Sequence, residues 1–97
     1  MTKVFISQPM NGKTDEEILA ERNHMIDTVK EKYGNEVEIL PSYFEDYDGN
    51  AIGFLGKSIE VLSHADIAVF GKGWDKARGC IIEHQVCKSY GVPTLEL

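Results

Sequence analysis

The sequence predicts a three-layer α/β fold of the Rossmann-like (flavodoxin-like) kind, with a four-stranded parallel sheet in the order 2-1-3-4. Two observations carry this prediction. Short β-branched or aromatic runs alternate with segments whose apolar residues recur at helical spacing, which gives the order βαβαβαβ. One run, Ile67 to Phe70, is apolar throughout, as in a strand covered on both faces. Strands that alternate with helices need right-handed crossovers, and these make the sheet parallel.

The first half of the chain predicts two strands and one helix. Lys3 to Ser7 forms a β-branched and aromatic run that ends in turn residues, and this run is strand one. Thr14 followed by Glu17 has the spacing of a capping box, so helix one should run from Asp15 to Tyr33. Val37 to Leu40 is strand two, and the aperiodic segment PSYFEDYDGN that follows predicts a loop.

The second half predicts two helices and two strands. Helix two precedes strand three, Ile67 to Phe70, and a glycine-bearing loop then leads to helix three, Cys80 to Tyr90, and a last strand near Thr94 to Leu97. The apolar residues that mark helix two are Ile52, Leu55, Ile59 and Leu62.

Size and composition fit a single domain over residues 1–97. A chain of 97 residues with 42% hydrophobic and 27% charged residues has room for one small core, and a core of this size favours a homodimer or larger homo-oligomer. The net charge of -6 repels polyanions and anionic lipid, so we expect neither a nucleic acid polymer nor a membrane as a partner. The segment after Lys3 is too short for a secretory signal, which makes the cytoplasm the expected compartment.

The fold predicts a pocket at the carboxyl ends of the strands, between strands one and three, where the strand order reverses. Two loops rich in glycine and small polar residues flank this point. The candidate substrate-binding residues are Ser7, Gln8, Pro9, Met10, Asn11 and Gly12 in the first loop, and Gly73, Trp74, Arg78 and Gly79 in the second.

The second loop is basic although the chain is acidic. Lys72, Lys76 and Arg78 directly precede a helix N-terminus, where cations are normally disfavoured. A bound phosphate or carboxylate would resolve this conflict, and solvated surface side chains are the equally open alternative. Aromatic residues in loops at this end either stack on a planar ligand or anchor their own loops and subunit contacts. These residues are Tyr43, Phe44, Tyr47 and Trp74.

Glu83 is the candidate nucleophile, because it lies early in helix three on the side that carries Cys80 and Cys87. The alternative is an ordinary glutamate near a helix N-terminus, stabilised by about 0.3–1 kcal/mol through the helix dipole. Cys80, His84 and Cys87 also share one helix face, but three ligands on one straight helix would span two turns. We therefore expect no metal, two free thiols and a surface histidine.

Several of these residues together resemble the nucleoside 2-deoxyribosyltransferase-like superfamily. The resemblance covers nearly the whole chain and is strongest to a small bacterial and phage branch. That branch shares a Pro-Met-x-Gly loop and a Gly-Trp-x-x-Ser-x-Gly-Ala-x-x-Glu signature. The matching segments are Ser7 to Gly12, Ala65-Asp66-Ile67, Gly73-Trp74, and Arg78-Gly79-Cys80 with Glu83 three residues on.

The resemblance implies cleavage of an N-glycosidic bond in a nucleoside or nucleoside monophosphate, by hydrolysis or by transfer to a second base, without a cofactor. Glu83 would attack the anomeric carbon and give a covalent glycosyl-enzyme, with overall retention. Two positions depart from the family pattern. Ala77 stands where nucleotide-using relatives carry a phosphate-binding Ser, and Ser58 stands where relatives usually place an acid near the leaving base.

The missing acid leaves two functions open. Asp75, Asp46 or Asp48 could supply the proton in its place, with Asp75 the candidate second catalytic residue. The alternative function is a non-catalytic nucleotide-binding module that acts as a sensor or sequesters its ligand.

Overall fold

A computed structural model of the protein describes residues 1–44 and 47–97. One all-parallel sheet has the order β2-β1-β3-β4, as predicted. The elements are β1 (Thr2–Ser7), α1 (Asp15–Tyr33), β2 (Val37–Ile39), α2 (Ala51–Leu62), β3 (Ile67–Phe70), a 3-10 turn (Trp74–Lys76), α3 (Arg78–Tyr90) and β4 (Thr94–Glu96).

The differences from the predicted boundaries lie at element ends. β2 and β4 are each one residue shorter than predicted, although the Leu40 and Leu97 amides still bond to neighbouring strands at 2.9 Å. α3 begins at Arg78, two residues before the predicted start, because the extended residue before it is Ala77. The loop ahead of α3 contains the 3-10 turn, which follows Gly73 in the left-handed conformation with φ 86°. No sequence periodicity marks so short a turn.

The two faces of the sheet pack against different helices, which gives the three predicted layers. Successive side chains of β1 and β3 point to opposite faces, so each strand contributes to both cores. α1 covers one face, while α2 and α3 cover the other. The first core contains Val4, Ile6, Met25, Val29, Val37 and Val69, and the second contains Phe5, Leu40, Leu62, Ala68, Phe70, Cys80 and Cys87.

The helix starts follow from local chemistry. Thr14 and Glu17 form the predicted capping box: the Glu17 amide donates to Thr14 Oγ1 at 3.1 Å, and the Thr14 amide donates to Glu17 Oε1 at 2.9 Å. Asn50 caps α2 by accepting from the Gly53 amide at 2.8 Å. Among the described residues, no helix is long and apolar enough to cross a membrane.

The sheet register brings the two loops of the predicted pocket together. Ser7 and Phe70, the last residues of β1 and β3, are partners in the parallel ladder. The Gly71 amide then donates to the Ser7 carbonyl at 2.8 Å. Both loops therefore leave the sheet side by side, at the point where the strand order reverses.

Candidate functional site

A cleft of about 1070 Å³ lies at the carboxyl ends of β1 and β3, where the sequence places the pocket. Its walls come from the loop after β1, the loop before α3, the first two turns of α3 and one side of α2. Nine of the predicted site residues line it. They are Ser7, Gln8, Pro9, Met10, Asn11, Gly73, Arg78, Gly79 and Glu83.

Glu83 forms a buried pair with Ser7 across the cleft floor. The Ser7 hydroxyl donates a hydrogen bond to Glu83 Oε1 at 2.6 Å. Glu83 is 7% exposed and Ser7 is 2% exposed. Glu83 lies in the second turn of α3, on the buried helix face that also carries Cys80 and Cys87. The fold thus brings a carboxyl from α3 against the end of β1, inside the cleft lining.

Burial sets the protonation of this carboxyl. Loss of solvent raises the pKa of Glu83 to about 7, and the hydrogen bond from Ser7 opposes part of that rise. Glu83 therefore ionises near neutral pH. A carboxyl poised in this way can act as a nucleophile or base above its pKa and can hold a proton below it.

The cleft is lined by cations. Lys13, Lys72, Lys76 and Arg78 all contribute, and among the described lining residues Glu83 is the single acid. Lys13 forms an ion pair with Glu21 at 3.4 Å. Within the described chain, the other three cations form no ion pair or side-chain hydrogen bond. A group of cations therefore lines one cleft in a protein whose net charge is -6.

The N-terminus of α3 opens into the same cleft. Ala77 precedes the helix and offers no side chain to cap it, so the amides of the first turn have no side-chain acceptor from that position. Arg78 and Gly79 of that first turn line the cleft. Both the helix dipole and the lysines therefore favour an anion at this end.

An apolar part of the lining comes from α2. Ala51, Ile52, Phe54 and Leu55 form it, followed by the buried Ser58. The sequence predicts α2 as a helix but does not place it in the cleft. The helical spacing of Ile52 and Leu55 was the available signal, but spacing alone does not show which apolar residues of a helix line a cleft.

The aromatic residues of the loop before α2 anchor that wall. Phe44 and Tyr47 each contact Phe54 edge-on, with ring centroids at 5.3 and 5.6 Å, and Lys57 Nζ lies 4.4 Å from the Phe44 ring centre. The Tyr43 hydroxyl hydrogen-bonds the Asp15 carboxylate. Of the open alternatives for these rings, the structure therefore shows loop anchoring.

Three predicted site residues do not line the cleft. Trp74 packs away from it: its indole stacks on the His84 ring with centroids 4.0 Å apart and an interplanar angle of 16°. Asp75 lies exposed in the 3-10 turn, and Gly12 shapes the first loop through its left-handed φ of 79°. Asp48 is exposed and is not among the lining residues, while Asp46 lies outside the described residues.

Gln8 is the most constrained residue of the first loop. It is 4% exposed, and its Nε2 donates to the Ile18 carbonyl and to Glu21 Oε1, both at 3.0 Å. Glu21 also pairs with Lys13, so the loop is tied to α1 by a chain of polar contacts. Gln8 Oε1 is buried without a hydrogen-bond partner among the described residues.

Cys80, His84 and Cys87, which share one face of α3, do not form a metal site. Cys80 and Cys87 are free buried thiols, as expected. The expectation of a surface histidine is wrong: the His84 side chain is 14% exposed, stacks on Trp74 and pairs through Nε2 with Glu96 Oε2 at 2.8 Å. No cluster of three His, Cys, Asp or Glu residues in the described ranges could hold a metal ion.

Fold and cleft together define the class of protein: a parallel α/β protein with a cation-lined cleft at the strand ends and a buried carboxyl on its floor. A comparison of the chain with protein-family models gives no match, and neither do searches of curated proteins and of solved structures.

Proposed function

We propose that the protein cleaves the N-glycosidic bond of a nucleoside monophosphate, with Glu83 as the nucleophile, by hydrolysis or by 2-deoxyribosyl transfer. The observation that carries the proposal is that a buried carboxyl, Glu83, lines the same cleft as three cations without a protein partner among the described residues, Lys72, Lys76 and Arg78. We infer that the cations of the cleft bind a phosphate, that the apolar residues of α2 contact a base, and that Glu83 reaches the sugar.

The chemistry takes two steps. The ionised Glu83 carboxylate attacks the anomeric carbon, the C–N bond breaks, and its electron pair leaves on the base nitrogen, which takes a proton from solvent. Water or a second base then attacks the same carbon and releases the carboxylate, so the anomeric configuration is retained.

Phosphate is the feature that distinguishes a nucleotide from a nucleoside as substrate. Lys72, Lys76 and Arg78 have no protein partner among the described residues, and the uncapped start of α3 adds favourable dipole and amide groups. The missing Ser at Ala77 removes one hydroxyl donor, but these groups supply donors of their own.

To test this, the protein is incubated near pH 8, where Glu83 is ionised, with a panel of nucleosides and nucleoside monophosphates. Chromatography then measures the free base that is released. We expect release from monophosphates, and a loss of about 10³-fold or more in Glu83→Gln. Glu31→Gln, an exposed change on α1, is the matched control and should leave the rate unchanged. Equal rates in Glu83→Gln and wild type would remove the proposed nucleophile.

A second candidate function is a nucleotide-binding module without turnover. The observation that favours it is Ser58, the buried polar residue on the α2 wall, at the position where a proton donor for the leaving base is expected. Neither Asp75 nor Asp48 lines the cleft to replace it. This function predicts a thermal shift with a nucleotide that is recovered intact, and recovery of base and sugar would reject it.

A homodimer is part of the proposal. Ile52 and Ile82, at 80% and 39% exposure, both line the cleft although both are strongly apolar, so we place them at the cleft mouth. A second copy seated over this mouth would bury both side chains and close the cleft to water.

A further inference from the structure

The Ser7 hydroxyl is the single hydrogen-bond donor to the Glu83 carboxyl within the described chain. The bond is short, at 2.6 Å, and both residues are almost fully enclosed. A serine hydroxyl carries one hydrogen, so a Ser7 that donates to Glu83 has none left to donate to a ligand. Ser7 therefore lines the cleft as the hydrogen-bond partner of Glu83, and not as a donor to substrate.

The two carboxyl oxygens of Glu83 are not equivalent. Oε1 accepts the bond from Ser7, whereas Oε2 accepts none from the described residues. Among the described residues, Gln8 Oε1 is the only side-chain oxygen or nitrogen that is both fully buried and without a hydrogen-bond partner. Glu83 Oε2 also has no partner, so it is not fully buried and retains some accessible surface. Because Glu83 lines the cleft, Oε2 is the oxygen that a ligand can reach.

Ser7 is itself rigidly held. It is the last residue of β1, paired with Phe70 in the sheet, and its carbonyl accepts from the Gly71 amide at 2.8 Å. The sheet thus fixes the backbone of Ser7, and burial of the residue to 2% exposure restricts its hydroxyl. A donor fixed in this way restricts the carboxyl it binds to one orientation.

We propose that Ser7 is a positioning residue: it holds Glu83 Oε1 so that Oε2 is presented to the anomeric carbon. This inference rests on the proposed function, and it assigns Ser7 to act through Glu83. The bond also favours the ionised carboxylate, which is the form that attacks.

The test combines a titration with a rate measurement. The Glu83 carboxyl carbon is titrated by NMR in wild type and Ser7→Ala, with Glu83→Gln used to assign the signal. We expect the pKa of Glu83 to rise above its wild-type value in Ser7→Ala, because a bond that favours the charged form is lost. With nucleoside monophosphate, kcat should fall about 10- to 100-fold with little change in KM, and the acidic limb of the pH profile should shift to higher pH.

Two further variants sharpen the result. Ser7→Thr keeps the hydroxyl and should restore much of the rate, while Ser89→Ala, an exposed serine near the end of α3, should behave as wild type. An unchanged pKa of Glu83 in Ser7→Ala would overturn the inference, as would a loss confined to KM. If the pKa of Glu83 rises in Ser7→Ala but the wild-type protein releases no base, Ser7 still positions Glu83 and the proposed function is wrong.

Discussion

Glu83 is the one acidic side chain that the described fold buries, and its chemistry follows from that burial. An exposed carboxyl near a helix start gains modestly from the helix dipole and stays ionised at neutral pH. Glu83 instead loses solvent on the sheet-facing side of α3, and the single hydrogen bond from Ser7 compensates only in part. The proposed function uses this shifted pKa, because a carboxyl that ionises near neutral pH can act as a nucleophile above its pKa.

The first prediction concerns the stability of Glu83→Gln as a function of pH. The folded protein releases the Glu83 proton near pH 7, whereas the unfolded chain releases it near the ordinary value of 4.5. Between these values the folded state binds more protons, so this group's stabilising contribution is complete below about pH 4.5 and is lost as pH rises through about 7. Glutamine lacks this loss.

Urea denaturation at about pH 5 and about pH 8 measures the effect. We expect wild type to lose about 2 kcal/mol more of its free energy of unfolding from about pH 5 to about pH 8 than Glu83→Gln loses. Glu31→Gln serves as control for the change in charge. Parallel pH dependences in Glu83→Gln and wild type would mean that Glu83 is ionised in the fold well below neutrality.

The sequence could predict Glu83 but not its partner. Cys80, Glu83 and Cys87 share one face by helical spacing alone, and the buried face of α3 carries all three. The fold class likewise places both loops at the cleft. Within the second loop, however, side-chain directions depend on the 3-10 turn, which sends Trp74 to His84 and leaves Asp75 exposed. No local pattern encodes the contact between Ser7 and Glu83, because it joins residues far apart in the chain.

At the scale of elements, the start of α1 depends on its capping box. We predict that Thr14→Ala lowers the free energy of unfolding by about 0.5–2 kcal/mol, because the Glu17 amide loses its acceptor. The control is Thr28→Ala in the same helix, where the hydroxyl merely bonds back to the His24 carbonyl. That change should be neutral or slightly stabilising, since alanine is the better helix former. A Thr14→Ala protein as stable as wild type would contradict the cap.

Elements with a strong local signal were predicted closely, and the wall of the cleft was not. The capping box fixed the start of α1 at Asp15, and the apolar run of β3 matched residue for residue. α2 also formed where its periodicity indicated. Its first turns, with the exposed Ile52, line the cleft, and that placement depends on how α2 packs on α3.

The loop before α3 should bind the phosphate of the ligand. We predict that Lys72→Gln and Lys76→Gln each weaken binding of a nucleoside monophosphate about two- to five-fold at low salt, as expected for an exposed ion pair. Binding of the matching nucleoside, which lacks phosphate, should not change. Isothermal titration calorimetry measures both, with the exposed Lys30→Gln on α1 as control. Equal losses for nucleoside and nucleotide would argue against a phosphate at these lysines.

At the scale of the whole molecule, charge is distributed unevenly. The chain carries -6 overall, yet four cations face one cleft. We expect this distribution of charge to disfavour polyanions over most of the surface and to favour a small anion at the cleft. Rising ionic strength should weaken ligand binding without affecting the fold.

The exposed apolar residues at the cleft mouth predict self-association. We expect wild type to sediment as a dimer or larger oligomer, and Ile52→Asp to shift the population to monomer because a charge would enter the buried contact. Ile81→Asp, at an exposed apolar site of α3 outside the cleft lining, is the matched control. A wild-type protein that sediments as a monomer at all concentrations would contradict the dimer.

The most direct test of the central claim is mass spectrometry of protein quenched during turnover of a nucleoside monophosphate near pH 8. A glycosyl-enzyme should add the mass of the sugar phosphate to the intact chain, and peptide mapping should place it on Glu83. The adduct should be absent from Glu83→Gln. The account would be contradicted if the sugar phosphate adduct maps to another residue. It would also be contradicted if Glu83→Gln releases base as fast as wild type.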